Sequence, residues 1–102
     1  MGPNMERDEV AKISKALSDP TRLKIYEMIA SAPDTVCSAL VEEFELSPAT
    51  ISHHLKVLSE ANLIETRRDG QFVHNCALLE TLKKYTRALA GLSGLGKDKR
   101  ER

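Results

Sequence analysis

The chain has 102 residues, of which 41% are hydrophobic, and its fifteen basic and fifteen acidic residues cancel to a formal net charge of zero. This length supports one modest hydrophobic core, and this hydrophobic content excludes global disorder. Zero net charge argues against nucleic-acid binding through bulk charge, so any such binding would depend on where the cations lie. No apolar run approaches a membrane span and no signal-peptide pattern is present, which predicts a cytoplasmic protein with no membrane partner. Two cysteines are too few for a disulfide scaffold, so reduced thiols are expected.

The first two predicted helices are separated by a break that carries its own helix signals. A first helix is expected over residues 8–17, where the apolar residues at helical spacing are Val10, Ile13 and Leu17. Residues 18–22 then end the first helix and begin the second, because Asp19 can cap a helix and Pro20 fits its first position. The second helix should run to about Ser31, and its expected buried residues are Leu23, either Tyr26 or Ile25, and Ile29.

A third and a fourth helix follow, separated by a turn of three residues. The third is predicted from roughly Val36 to Phe44, with its inward side formed by Leu40, Val41 and Phe44. The fourth is predicted over 48–61, where Ser47 can cap the helix and Pro48 again suits the first position. Helix, short turn and capped helix are the spacing of a helix-turn-helix, although helical bundles also use short connections.

The fourth helix has one apolar face and one small, polar face. The apolar residues at i, i+4 and i+7 are Ile51, Leu55 and Leu58, and the residues expected on the other side are Ala49, Ser52, His53 and Lys56. Small residues, hydroxyls and an imidazole near a helix N-terminus suit the floor of a DNA major groove. An ordinary amphipathic surface helix has the same periodicity, so the neighbouring segments decide between the two interpretations.

The segment after the fourth helix predicts a β-hairpin. Residues 63–68 alternate like a strand, Asp69-Gly70 is a strong hairpin signal, and residues 71–75 return as a second strand. The tip, 67–71, carries Arg67 and Arg68 and suits a phosphate backbone or a minor groove. A solvated hairpin whose arginines only maintain solubility is the alternative. Directly after a helix-turn-helix, a DNA-contacting wing is favoured.

A last helix is predicted from about Ala77, and it has a wide apolar face. We expect it to pair with its symmetry mate in a homodimer, supported by the first helix, although it could merely cover the core. The predicted interface residues are Val10, Ile13, Leu17, Leu78, Leu82, Tyr85 and Leu89. The domain should span 6–92, and 93–102 should be a flexible charged tail.

This order of elements, mainly α with one β-hairpin, resembles the ArsR/SmtB family of winged helix-turn-helix repressors. The matching segments are Ala16-Leu17-Ser18-Asp19-Pro20-Thr21-Arg22-Leu23, Ser52-His53-His54-Leu55-Lys56-Val57-Leu58, Ala61-Asn62-Leu63-Ile64 and Arg67-Arg68-Asp69-Gly70-Gln71-Phe72-Val73-His74. The resemblance implies a homodimer that represses transcription from an operator and leaves the DNA when an inducer binds. It implies DNA contacts from Ser47, Ala49, Thr50, Ser52, His53 and Lys56 in the recognition helix and from Arg67, Arg68 and Gln71 in the wing. His54 matches a packing position, and Arg22 is expected to start a helix, although it could reach a phosphate.

The same resemblance implies sensor sites that this chain lacks. Arsenic-sensing members carry C-x-C at the start of the third helix, where this chain has Cys37 alone, and trivalent arsenic binds about three thiolates. Zinc-sensing members carry Asp and His pairs on the last helix, where this chain offers Glu80. We therefore expect no metal cofactor. His74 and Cys76 have an H-x-C spacing that would share one strand face, but packing explains both better.

The inducer and one other function class stay open. Cys37 and Cys76 could form a thiol switch if their Cα atoms lie within about 6 Å of each other. A small organic inducer, or none, is an equal alternative. A winged-helix module for protein–protein contact is the competing function, for which the zero net charge is the main argument. An enzyme is not expected, because the chain has no Gly-rich phosphate loop.

Overall fold

The computed structural model describes residues 5–92, and within them five helices surround a small three-stranded antiparallel sheet. The helices are α1 (Arg7–Ala16), α2 (Pro20–Ala30), α3 (Cys37–Phe44), α4 (Pro48–Glu60) and α5 (Leu79–Leu92). The strands are β1 (Thr35–Val36), β2 (Ile64–Asp69) and β3 (Phe72–Ala77). The predicted winged helix-turn-helix architecture is confirmed. The predicted tail at 93–102 lies outside the described residues.

The two predicted helix starts carry the caps that the sequence indicates. Asp19 Oδ2 accepts a hydrogen bond from the Arg22 backbone N–H at 2.9 Å, and Ser47 Oγ accepts one from the Thr50 N–H at 3.1 Å. Each cap satisfies one of the donors that a helix N-terminus leaves without an internal partner. At the end of α3, Glu45 adopts a left-handed conformation with φ of 53°. This residue makes the turn that leads from α3 into α4.

The hairpin forms as predicted, but the sheet has a third strand that the sequence analysis missed. Asp69 pairs with Phe72 across a two-residue loop whose first member, Gly70, has φ of +65°, a conformation that glycine adopts without strain. Strand β1 pairs with β3, with Thr35 opposite Asn75. The Asn75 side chain is fully buried, and its Nδ2 donates to the Thr35 carbonyl at 3.1 Å. Thr66 Oγ1 donates to Asn75 Oδ1 at 3.0 Å, so Asn75 ties all three strands together.

One predicted core assignment is wrong. Leu23 is 41% exposed, whereas Ile25 and Tyr26, offered as alternatives, are both buried together with Ile29. At 100° per residue, Leu23 lies roughly 110° around α2 from the middle of that buried stripe. The packing of α2 against the sheet therefore selects Ile25, Tyr26 and Ile29 and leaves Leu23 at the surface.

Helices α1 and α5 pack on each other within one protomer, which corrects two predicted dimer contacts. Ile13 is 2% exposed and Tyr85 is 9% exposed. The Tyr85 hydroxyl lies 2.8 Å from the Ser14 hydroxyl, joining the two helices by a hydrogen bond. Because the protomer core already covers Ile13 and Tyr85, neither side chain offers surface to a second copy.

Candidate nucleic-acid interface

Helix α4 presents a polar face to solvent, because its apolar stripe is used by the core. Ile51, Leu55 and Leu58 are buried. The six residues predicted to contact DNA from this region are all exposed, namely Ser47, Ala49, Thr50, Ser52, His53 and Lys56. At the start of the helix the Ser47 hydroxyl donates to Thr50 Oγ1 at 3.0 Å while it caps the Thr50 N–H. The polar face is therefore available, and its contact with DNA stays a prediction.

The hairpin places its two arginines on opposite faces. Arg68 pairs with Val73 across the hairpin, and both line a groove whose other wall is α4, where Ser52 and Lys56 contribute. Arg67 pairs with His74 on the opposite face of the sheet, because side chains alternate along a strand. The two arginines were predicted to act together at the tip. The alternation of neighbouring side chains along a strand is the sequence signal that places them on different faces.

The groove between α4 and the wing, which we call the α4–wing groove, carries two cations. Lys56 lies on its helical wall and Arg68 on its hairpin wall, with Glu60 at the end of the same helix. Gln71 and Phe72 lie at the tip of the hairpin, and both are exposed. Phe72 is 52% exposed, and sequence reasoning missed it as a surface residue because aromatic residues usually enter the core. The groove thus combines a small polar helix face with cations positioned for phosphate contacts.

His54, next to the exposed His53, is tied to the start of α2. Arg22 Nη1 lies 3.1 Å from His54 Nδ1, and Arg22 Nε donates to the Ala16 carbonyl at 2.7 Å. Burial lowers the pKa of His54, the Asp19 carboxylate opposes this shift, and the charges of Arg22 and His53 add to it. The prediction that His54 packs rather than reads bases fits this placement. The Arg22 guanidinium, a candidate for phosphate contact, instead forms hydrogen bonds within the protomer.

The two cysteine thiols lie on opposite faces of the sheet, which argues against the hypothesis that they pair. Asn75 Nδ2 lies 3.8 Å from Cys37 Sγ, whereas Cys76 Sγ donates to the Pro33 carbonyl at 3.3 Å. Because Asn75 and Cys76 are neighbours on β3, their side chains point to opposite faces. The sheet therefore separates the thiols, and a direct Cys37–Cys76 disulfide within one chain does not fit.

The His74 and Cys76 side chains share a sheet face, as their spacing predicted, and both contact Asp34 in the loop before β1. His74 Nδ1 pairs with Asp34, and Cys76 Sγ lies 3.9 Å from the other carboxylate oxygen of Asp34. Within residues 5–92, no group of three or more His, Cys, Asp or Glu side chains is arranged to hold a metal ion. The contacts of His74 and Cys76 with Asp34 connect β3 to the loop before β1.

Helix α5 carries exposed apolar residues that the protomer leaves uncovered. Leu79, Leu89 and Leu92 are 51%, 38% and 69% exposed. The predicted interface residues that are partly buried are Val10, Leu17, Leu78 and Leu82. Among the described residues, no helix is both long enough and apolar enough to span a membrane. The apolar surface on α5 is thus a strip on a short helix, of a kind that commonly marks a protein contact.

Comparison with known proteins gives matches over the same elements. A family model described as a helix-turn-helix domain matches residues 17–67. The transcriptional repressor SdpR of Bacillus subtilis (strain 168) is 40% identical over 62 residues, which cover 61% of this chain and 68% of SdpR. The arsenical resistance operon repressor of Staphylococcus xylosus is 39% identical over 66 residues, which cover 65% of this chain and 62% of that protein. The solved structure of an ArsR-like transcriptional regulator from Rhodococcus sp. RHA1 matches with a TM-score of 0.76 and 31% identity, covering 91% of this chain and 86% of that one.

Proposed function

The chain belongs to the ArsR/SmtB family of winged helix-turn-helix transcriptional regulators, and from this premise we propose that it is a sequence-specific DNA-binding repressor that acts as a homodimer. In this proposal α4 enters the major groove and the hairpin tip, 67–71, contacts the backbone or the minor groove. An inducer releases the protein from its operator. The curated relatives named as repressors support this function. The helix-turn-helix family model matches residues 17–67, a segment that contains α4 and the start of the wing.

The α4–wing groove is the single observation that carries the proposal. Ser52 and Lys56 face Arg68 across it, so a helix face suited to base edges stands beside a cation suited to phosphate. A protein-interaction module would not require this combination of a polar helix face with flanking cations. An enzyme is not supported either, because the curated relatives are named as transcriptional repressors.

The charge of the chain and the exposed apolar residues of α5 both support a dimer. The formal net charge is zero, so one protomer has only the few cations of its groove to offer to DNA. Two copies related by a two-fold axis double those contacts and read two half-sites. Leu89 and Leu92, exposed on α5, supply apolar surface for that pairing, together with the partly buried Val10 on α1.

For the inducer, the residues present argue against metal coordination at the positions that the family resemblance implies. The start of α3 has Cys37 as its one thiol, and Leu79–Leu92 contains Glu80 as its one carboxylate and no histidine or cysteine. Zinc in a structural site takes four nitrogen or sulfur ligands. We therefore propose that the inducer is not a metal ion. A small organic inducer and none at all stay equal alternatives, with the thiols acting separately as a third.

The test is binding of labelled duplex DNA by fluorescence anisotropy over a range of salt concentrations. The probes are the DNA upstream of the coding sequence and duplexes selected by the protein from a randomised pool. We expect tight binding to a selected duplex, weaker binding to random DNA, and affinity that falls steeply with salt. The absence of binding even at low salt would refute the DNA-binding function and favour the protein-interaction alternative.

Variants then test whether the groove is the binding surface. Arg68→Ala should remove one phosphate contact per protomer, which reduces the slope of log affinity against log salt by roughly 1.8 for a dimer. Lys24→Ala is the matched control, because Lys24 is an exposed cation on α2 away from the groove. An equal effect of both substitutions would show that the groove has no special role. For the inducer, zinc, arsenite and a mild oxidant are added to the complex, and release by either metal species would refute the proposed inducer class.

A further inference from the structure

The end of α1, the start of α2 and the recognition helix α4 meet at one hydrogen-bonded group, which we call the Arg22–His54 bridge. The Arg22 guanidinium donates through Nε to the Ala16 carbonyl at 2.7 Å. Its Nη1 lies 3.1 Å from His54 Nδ1 on α4. The Arg22 backbone N–H is itself held by the Asp19 carboxylate at 2.9 Å. One side chain thus connects three helical segments.

Arg22 is fixed by features that are independent of His54. Ala16 is the last residue of α1, and its carbonyl is among the four that a helix leaves without an internal partner. A cation at a helix C-terminus is also favoured by the helix dipole. Asp19 caps α2 by accepting from the Arg22 backbone N–H, which fixes the backbone at this position. The free arm of the guanidinium is therefore held in place beside α4.

The bridge requires one protonation state of His54. A guanidinium has donors and no acceptor, so His54 Nδ1 must accept the hydrogen bond. The imidazole is then neutral, with its proton on Nε2. A protonated imidazole would place an N–H against the Arg22 N–H and bring two cations together at 3.1 Å. Protonation of His54 and the bridge exclude each other.

The surroundings of His54 favour the neutral form. Burial lowers the pKa of His54 from its ordinary value. The charged or titratable groups that act on it are Asp19 and Arg22 at the start of α2 and His53 on α4. Asp19 raises the pKa, whereas Arg22 and His53 lower it. The bridge is thus formed at neutral pH and opens in acid.

We propose that Arg22 is a positioning residue that holds α4 through the neutral imidazole of His54, and that protonation of His54 releases α4 and weakens DNA binding. The inference rests on the proposed DNA-binding function. The apolar stripe of α4 anchors the helix to the core, and the bridge fixes its orientation on the side that continues into the polar face.

The first test is NMR of the three histidine side chains in the protein without DNA. At pH 7.5 the ring nitrogens of His54 should show a neutral imidazole with an unprotonated Nδ1. His54 should titrate below about 6.5, the ordinary value for histidine. Arg22→Met removes the donor and the charge at similar length, so the pKa of His54 should rise. A protonated Nδ1 at pH 7.5, or an unchanged titration in Arg22→Met, overturns the inference whether or not the protein binds DNA.

The second test is the pH profile of binding to a selected duplex between pH 5.5 and 8. His54→Asn keeps an acceptor close to the position of Nδ1 but cannot be protonated. We expect it to bind like the wild type at pH 7.5 and more tightly at pH 5.5, by less than about tenfold, because one titrating group whose pKa lies below about 6.5 is only partly protonated there. His54→Leu lacks the acceptor and should bind about tenfold more weakly at pH 7.5. His53 is present in every one of these proteins, so the comparison varies only Arg22 and His54.

Arg22→Met completes the set and separates the possible failures. It should bind about tenfold more weakly than the wild type at pH 7.5, while thermal unfolding confirms that it is folded. Parallel pH profiles of the wild type and His54→Asn, with binding intact, overturn the inference and leave the proposed function standing. Loss of DNA binding by every protein at every pH overturns the proposed function, and the NMR result then reports on the bridge alone.

Discussion

Asn75 is the buried polar residue on which the sheet depends, and its replacement by leucine should unfold the domain at a much lower temperature. The side chain is 0% exposed, donates to the Thr35 carbonyl and accepts from Thr66 Oγ1. Asn75→Leu removes both hydrogen bonds, each of which stabilises the fold by about 1 kcal/mol. Thr35 is 5% exposed, so its carbonyl loses a partner with little access to water, which costs about 1–3 kcal/mol more.

The expected loss in the free energy of unfolding is therefore roughly 3–5 kcal/mol, out of a total that for a domain of this kind is about 5–15 kcal/mol. At about 4–8 °C per kcal/mol, the melting temperature should fall by at least about 12 °C. Thermal and urea unfolding followed by circular dichroism measure this loss. Thr66→Val is the comparison variant: it removes one of the two hydrogen bonds and leaves the buried Asn75 Oδ1 without a partner, so it should cost roughly 1 kcal/mol less than Asn75→Leu.

Equal and small losses for Asn75→Leu and Thr66→Val would refute this account of the sheet. That result would mean that β1 is held by backbone pairing and core packing alone.

Four further predictions concern the surface and the titrating groups. His53→Ala should weaken binding to a selected duplex far more than binding to random DNA, measured by anisotropy, and equal losses would refute base contact. Leu89→Glu should convert a dimer into monomers in sedimentation experiments, and an unchanged dimer would remove α5 from the interface. Mild oxidation should leave Cys37 and Cys76 without a disulfide within the chain, and a protein two hydrogens lighter in mass spectrometry would contradict their separation. Folding lowers the pKa of His54, so the contribution of His54 to stability is complete above about pH 6.5 and declines as pH falls through the lowered pKa. His54→Asn cannot be protonated and should therefore lose less stability than the wild type in acid unfolding. Identical pH profiles for the two proteins would refute this prediction.

The parts of the fold set by neighbouring residues were predictable from the sequence. Asp19 and Ser47 cap helices whose first turns follow at once, so each signal and its structure lie within a few residues. Asp69-Gly70 likewise places the hairpin, although the strands begin and end a residue or two later than predicted. The pattern of α4 separates its buried stripe from its exposed face for the same reason.

The parts that depend on distant packing were not predictable. Strand β1 has only two residues, and its pairing with β3 depends on Asn75, forty positions along the chain from Thr35. Ile13 and Tyr85 fit an interface between copies as well as a core, and only the packing of α1 on α5 decides between them. The Arg22–His54 contact joins residues 32 positions apart and has no local signature.

The proposal that the α4–wing groove binds duplex DNA is tested most directly by photo-crosslinking. Ser52, Arg68 and Lys83 are replaced, one at a time, by p-benzoylphenylalanine, and each protein is irradiated with a selected duplex. Ser52 and Arg68 line the groove, whereas Lys83 is exposed on α5 outside it. We expect crosslinks from the first two positions, to bases from position 52 and to the sugar–phosphate backbone from position 68, and none from position 83. Crosslinks from position 83 alone would contradict the account and place the DNA on another surface.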